Sequence, residues 1–148
     1  SDCLVGSEMC IRDRLYTCLL SYMLFFSICV APVINNTLDR KNSSILLRKI
    51  FPKNFKFGGF VALLAIFASV YYNSLLSLVF SLIILCLFII NLYYLVPKIN
   101  LASDKVKSSQ NYSKEFKKLH LFSVILYAFQ MLASLFFIIY LLINDVSV

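Results

Sequence analysis

The chain contains no tryptophan, a single histidine, three glycines and three prolines in 148 residues. Seven acidic residues stand against fourteen basic ones, for a formal net charge of +7. Each scarcity removes a class of chemistry. So few glycines, none in a phosphate-loop or nucleophile-elbow pattern, exclude the common nucleotide-binding and hydrolase signatures. One histidine cannot supply both axial ligands of a haem within a monomer. No two cysteines have Cys-x-x-Cys spacing, so a zinc or dithiol site is not indicated. The most informative absence is charge: between Lys56 and Lys98, 41 consecutive residues carry none.

What is present is hydrocarbon. Hydrophobic residues make up 61% of the chain and charged ones 14%, where a soluble domain carries roughly 25% charged residues. A membrane-crossing helix needs about 20 mostly apolar residues. Residues 15–38 and 119–143 each supply one span. The uncharged run supplies two, residues 57–72 and 74–97, with the turn expected at Tyr71-Tyr72-Asn73-Ser74, where aromatic rings and an amide suit the interface. The expected fold class is therefore all-α: a polytopic membrane protein built as a four-helix bundle.

Residues 1–14 stand apart. Cys3-Leu4-Val5-Gly6-Ser7-Glu8-Met9-Cys10-Ile11-Arg12-Asp13-Arg14 lacks the apolar core and cleavage site of a signal peptide. It matches, codon by codon, a translated transposase-type sequencing adapter, and the expectation is that this stretch is not native. Without it the net charge becomes +8. Cys18, Cys29 and Cys86 lie in apolar stretches and read as packing residues.

Charge sets the expected orientation. The loop after the first span holds Arg40, Lys41, Arg48, Lys49, Lys53 and Lys56 against Asp39 alone. The loop after the third holds Lys98, Lys105, Lys107, Lys114, Lys117 and Lys118 against Asp104 and Glu115. The positive-inside rule places both loops in the cytoplasm and both termini outside, with anionic lipid headgroups as partners of the basic loops and no nucleic acid. Within the first loop, Ile45-Leu46-Leu47 and Ile50-Phe51 flank Arg48-Lys49, a pattern that suits either a segment in the headgroup layer or a plain connector. Residues 103–112, rich in Ser, Lys, Asn and Gln, are expected to be mobile.

An internal repeat is visible at an offset of 65. Val30-Ala31-Pro32-Val33-Ile34-Asn35 closes the first span, and Leu95-Val96-Pro97-Lys98-Ile99-Asn100 closes the third. Pro32 and Pro97 are expected to mark helix ends. Lys53-Asn54-Phe55-Lys56 and Lys114-Glu115-Phe116-Lys117 read as matching entries to the second and fourth spans. Two helix hairpins starting on the same side would form a parallel repeat about an axis along the membrane normal.

In lipid, apolar surface does not drive helices together; small residues and polar contacts do. Gly58, Ala62, Ala65, Ser69 and Tyr72 form a small-residue seam on the second span. Ser74, Ser77, Ser81, Phe88 and Asn91 share a face of the third, and His120, Ser123, Tyr127, Gln130 and Ser134 form a polar seam on the fourth. Gln130 and Asn91 are expected to point into the bundle. The polar seam is the candidate for chemistry. His120 reads either as an interfacial side chain bonded to a loop carbonyl or as a haem ligand, proton acceptor or metal ligand. No catalytic residue, metal site or resident cofactor is indicated, haem remaining the one cofactor alternative.

The order Phe25-Phe26, Pro32, Phe51-Pro52, Gly58-Gly59, Asn91, Pro97, Phe116-Lys117-Lys118-Leu119-His120 and Ser123 resembles the transmembrane-protein-205-like domain family, domain of unknown function 4149. The resemblance covers roughly residues 22–143 and implies a four-helix membrane protein, with no reaction attached. It departs in the first span, where Ser21 and Ser27 stand in for glycine. The Asn-, Lys-, Ile- and Phe-rich composition suggests a bacterial member, in the inner membrane. Two functions are open: a non-enzymatic protein acting by association in the membrane, with another membrane protein or as a homo-oligomer, which the small-residue seam of the second span favours as a docking face, or a small-molecule site in the bundle, such as a haem or quinone redox centre or an export path.

Overall fold

A computed structural model describes residues 7–105 and 111–146. The first apolar stretch forms α1 (Ser7–Phe25), a π-helical turn (Phe26–Val30) and α2 (Ala31–Thr37). After a break at Leu38 and Asp39 comes α3 (Arg40–Tyr71). The second half repeats the plan with α4 (Leu75–Ile90), a π-helical turn (Asn91–Leu95), α5 (Val96–Lys105) and α6 (Asn111–Val146). Four segments are long and apolar enough to cross a membrane: Cys10–Thr37, Asn42–Tyr71, Leu75–Lys105 and Lys114–Asn144. Among the described residues there is no strand. The chain is a multi-pass, all-helical membrane protein.

The helices run further than the apolar stretches alone imply. Residues 40–56 are helical rather than an irregular connector; they are the first turns of α3, which continues through Pro52. Ser103–Lys105 and Asn111–Tyr112 are helical as well; the middle of the segment expected to be mobile, residues 106–110, lies outside the described residues. The turn between the spans falls where expected. α3 ends at Tyr71, α4 starts at Leu75, and Asn73 takes a left-handed φ of 52°, a conformation that asparagine tolerates better than most residues.

Pro32 and Pro97 do not end their helices. In each span the π turn comes immediately before: Ala31 N–H bonds the Phe26 carbonyl and Val96 N–H bonds the Asn91 carbonyl, each one step wider than an α-helical bond. Proline lacks an N–H and its ring collides with the carbonyl four residues back. The widened turn moves that carbonyl aside, so the helix passes through. The interval between the two π turns equals the interval between the two prolines, which is the offset of the repeat.

The same interval relates the buried faces. Tyr16, Leu19, Met23 and Phe26 of the first span are buried, as are Ser81, Ile84, Phe88 and Asn91, their counterparts in the third. Gly58, Ala62, Ala65 and Ser69 of α3 are buried, as are Ser123, Tyr127, Gln130 and Ser134 of α6. One offset therefore relates the buried positions of the two hairpins along both of their spans. The Lys-x-Phe-Lys entries are spaced more closely than that offset and do not correspond; Phe51 matches Phe116 and Phe55 matches His120. α1 packs on α6 as α3 packs on α4, the pair of interfaces that a two-fold rotation exchanges.

The α3–α4 interface is the most extensive, and the small-residue seam of α3 is what it uses. Gly58 lies so close to Tyr22 and Phe88 that any Cβ there would overlap both. The seam thus lies inside the bundle. The outer faces carry exposed Phe25, Phe67, Leu75, Tyr93 and Phe136, as helices bathed in lipid require. Cys18, Cys29 and Cys86 also face outward and are free, so they are not the packing residues their surroundings in the sequence suggest.

Candidate functional site

The two spans with π turns run on, like α3 and α6, into the basic segments at one end of the bundle. There the four helices leave a cavity of about 380 Å³. Both hairpins contribute to its walls, and four pairs of lining residues stand at the offset of the repeat: Ala31 with Val96, Asn35 with Asn100, Phe51 with Phe116, and Phe55 with His120. The cavity thus lies between the hairpins.

The symmetry fails deeper in. Ser123 and Tyr127 also line the cavity; their counterparts in the first hairpin are Gly58 and Ala62. Phe26 lines it too, and its counterpart is Asn91. At these positions the second hairpin presents hydroxyls and an amide where the first presents a ring and small residues; the first hairpin adds Asn54, Arg48 and Ser43 elsewhere on the wall. Polar groups in a membrane bundle are costly unless partnered, and most of these are partnered. The Ser123 hydroxyl donates to Asn91 Oδ1 at 2.8 Å, and the Asn91 amide donates to the Leu87 carbonyl at 3.3 Å. The Asn54 amide, across the cavity on α3, donates to Tyr127 Oη at 3.2 Å. That leaves the proton of Tyr127 available for an acceptor.

At the mouth, Arg48 of α3 meets Asp104 of α5 at 2.6 Å and the Asn100 carbonyl at 3.3 Å. The Ser43 hydroxyl donates to Asn35 Oδ1 at 3.0 Å. Among the described residues, Arg48 lines the cavity and no carboxylate does, the nearby Asp104 being paired with Arg48. The site is thus rich in donors, with aromatic walls.

The residues singled out from the sequence divide here. His120, Ser123 and Tyr127 line the cavity, and Asn91 touches it through Ser123. His120 is exposed, its ring stacked on Phe116 at a centroid distance of 5.9 Å. Gln130 points inward as expected, but below the cavity: its amide donates to the Ile84 carbonyl at 3.3 Å, while its Oε1 has no partner. Ser134, one turn on, is fully buried and its hydroxyl has none either. Pro32 and Pro97 do not line the cavity; each follows the π turn of its span. Sequence reasoning missed Asn54, Arg48, Phe51 and Phe55 as parts of the site. The available signal was the repeat itself: Asn35 and Asn100 close its two motifs, and extending its offset over the full hairpins pairs the ring positions. Among the described residues no cluster of histidine, cysteine or acidic side chains could hold a metal.

Four apolar helices, duplicated as parallel hairpins around a cavity, define an integral membrane protein of bundle type. The chain belongs to the family described as Domain of unknown function (DUF4149), whose profile matches residues 15–108. The match takes in the first three spans, the two π turns and the Asn35–Asn100 pair; Ser123 and Tyr127 lie beyond it. No curated protein and no solved structure matches the chain.

Proposed function

We propose that this chain is a non-enzymatic membrane protein of the bacterial inner membrane that holds a small, largely apolar molecule at the cytoplasmic end of its bundle. One observation carries the reading: a cavity of about 380 Å³ between the hairpins, with rings and aliphatic side chains on its walls and a few convergent polar groups. Ligand sites of this kind typically run from roughly 300 to 1,000 Å³. The basic segments flanking its mouth support, by the positive-inside rule, a cytoplasmic position for it, and the same lysines and arginines would hold anionic headgroups around it. Action by association within the membrane rested on the small-residue seam of α3 as a docking face for another protein or another copy; that seam is spent on α4. A haem held by His120 fits less well, because the imidazole is exposed and stacked on Phe116.

The test is retention. Native mass spectrometry of the chain released from mild detergent should show a bound small molecule, and Ser27→Phe, which fills the cavity from a half-buried wall position, should lose it. A chain that carries nothing, or a filled variant that retains the same mass, contradicts the reading.

A further inference from the structure

The cavity has a feature that an unspecific apolar pocket lacks. Each hairpin contributes one pair of flat rings, one helical turn apart, to its wall. In the first hairpin Phe51 stacks on Phe55 with centroids 6.2 Å apart and planes 14° from parallel. In the second Phe116 stacks on His120 at 5.9 Å and 5°. The pairs are related by the same offset as the hairpins themselves, and all four residues line the cavity. Ring pairs at matched positions on the two hairpins put aromatic surface on both walls, which suits a planar molecule. Aromatic faces favour offset stacking on flat, conjugated partners; a saturated acyl chain gains nothing from such parallel planes beyond the area it buries.

The polar groups give the second constraint. Tyr127 accepts from Asn54 and keeps its own proton. Asn35 accepts from Ser43 through Oδ1, and its amide group can still donate. Arg48, paired with Asp104, adds further N–H donors near the mouth. These groups donate, and a planar ligand must answer with acceptors. Two asparagines at equivalent places, Asn35 and Asn100, further suit a molecule with acceptors at opposite edges.

We infer that the cavity, if it is the small-molecule site proposed above, takes a planar conjugated ring bearing carbonyl oxygens, of the quinone class, stacked against the Phe51/Phe55 and Phe116/His120 pairs with a carbonyl facing the Tyr127 hydroxyl. The assignment is one of binding and requires no electron transfer.

The experiment uses the full chain in mild detergent and isothermal titration calorimetry, with micelles alone as the blank. The probe is 2,3-dimethyl-1,4-naphthoquinone, whose substituted ring does not add to the free, outward-facing cysteines; the comparison ligand is dodecyl phosphate. The naphthoquinone should bind the wild-type chain. Phe116→Leu, which keeps bulk but removes a ring face, and Tyr127→Phe, which removes the donor, should each weaken it about three- to tenfold. Phe136→Leu, on the exposed outer face of α6, should leave binding unchanged and serves as the folding-matched control. If dodecyl phosphate binds and the naphthoquinone does not, the small-molecule site stands and the planar-ring assignment falls. If the naphthoquinone binds with equal strength to Phe116→Leu and Tyr127→Phe, the assignment also falls. If neither ligand binds, both readings fall.

Discussion

Tyr16 and Ser81 occupy equivalent places in the two hairpins, and their side-chain oxygens meet at 2.5 Å. Only residues next to a two-fold axis touch their own counterparts, so this contact marks where the axis passes. Tyr16 Oη also donates to the Ser77 carbonyl at 3.2 Å, and its ring packs edge-on against Phe137 with centroids 4.7 Å apart. The contact joins the hairpins at the end opposite the cavity.

The Tyr16–Ser81 pair should therefore be energetically coupled. Hydrogen bonds between membrane helices average about 0.6 kcal/mol and reach about 1.7 kcal/mol in double-mutant cycles. A cycle of Tyr16→Phe and Ser81→Ala, read from unfolding in mixed micelles, should give a coupling in that range. Strictly additive effects would mean that the two hydroxyls do not act together.

Gly58 should be intolerant where its neighbour is not. A methyl group there overlaps Tyr22 Oη and the Phe88 ring, whereas at Gly59 the nearest side-chain atom, on Leu85, is 3.8 Å away. Gly58→Ala should destabilise by about 1–3 kcal/mol, the usual cost of overpacking, and Gly59→Ala should change little. Thermal melts of both variants check this; equal melting temperatures would refute the close packing of α3 against Tyr22 and Phe88.

Gln130 and Ser134 make the opposite prediction. Gln130 Oε1 and Ser134 Oγ are buried without partners, and an unmet buried polar atom costs about 1–3 kcal/mol. Replacing a polar group by an apolar one of like shape can then be neutral or stabilising. Gln130→Leu and Ser134→Ala should leave the melting temperature unchanged or raise it. A marked fall for Gln130→Leu would show that its bond to the Ile84 carbonyl outweighs the orphaned oxygen.

The Asn73 turn should discriminate between glycine and alanine. With φ at 52°, an alanine there costs about 1–2 kcal/mol of left-handed strain, while glycine adopts the conformation freely. Asn73→Ala should lower the melting temperature and Asn73→Gly should not.

The spans were readable because the long uncharged run between Lys56 and Lys98 leaves no alternative solvent, and the inter-span turn because Tyr71-Tyr72-Asn73-Ser74 is a polar break between two apolar runs. Asn91, Ser123, Tyr127, Gln130 and Ser134 could be placed on buried faces, since few polar residues stand out against so much hydrocarbon. Three things were not readable. The passage of helices through Pro32, Pro52 and Pro97 depends on local backbone adjustment, which residue type alone argues against. The α3 seam looked available to a partner because small residues signal close approach without naming the helix that approaches. The cavity needs four helices at once, and its key residues Phe51, Phe55 and Asn54 lie in a basic stretch that reads as a loop until α3 is seen to run through it.

The central proposal is a water-reachable cavity between the hairpins at the basic end, proposed to face the cytoplasm, above a dry core. It is tested most directly by thiol accessibility. With the other cysteines replaced by alanine, Ser123→Cys and Ser134→Cys are each treated with membrane-impermeant methanethiosulfonate ethylsulfonate, in right-side-out and in inverted vesicles. The Ser123→Cys thiol should react rapidly in inverted vesicles only, and the Ser134→Cys thiol in neither. Reaction of Ser123→Cys from the opposite face, or at the same slow rate as Ser134→Cys on both, would contradict the account.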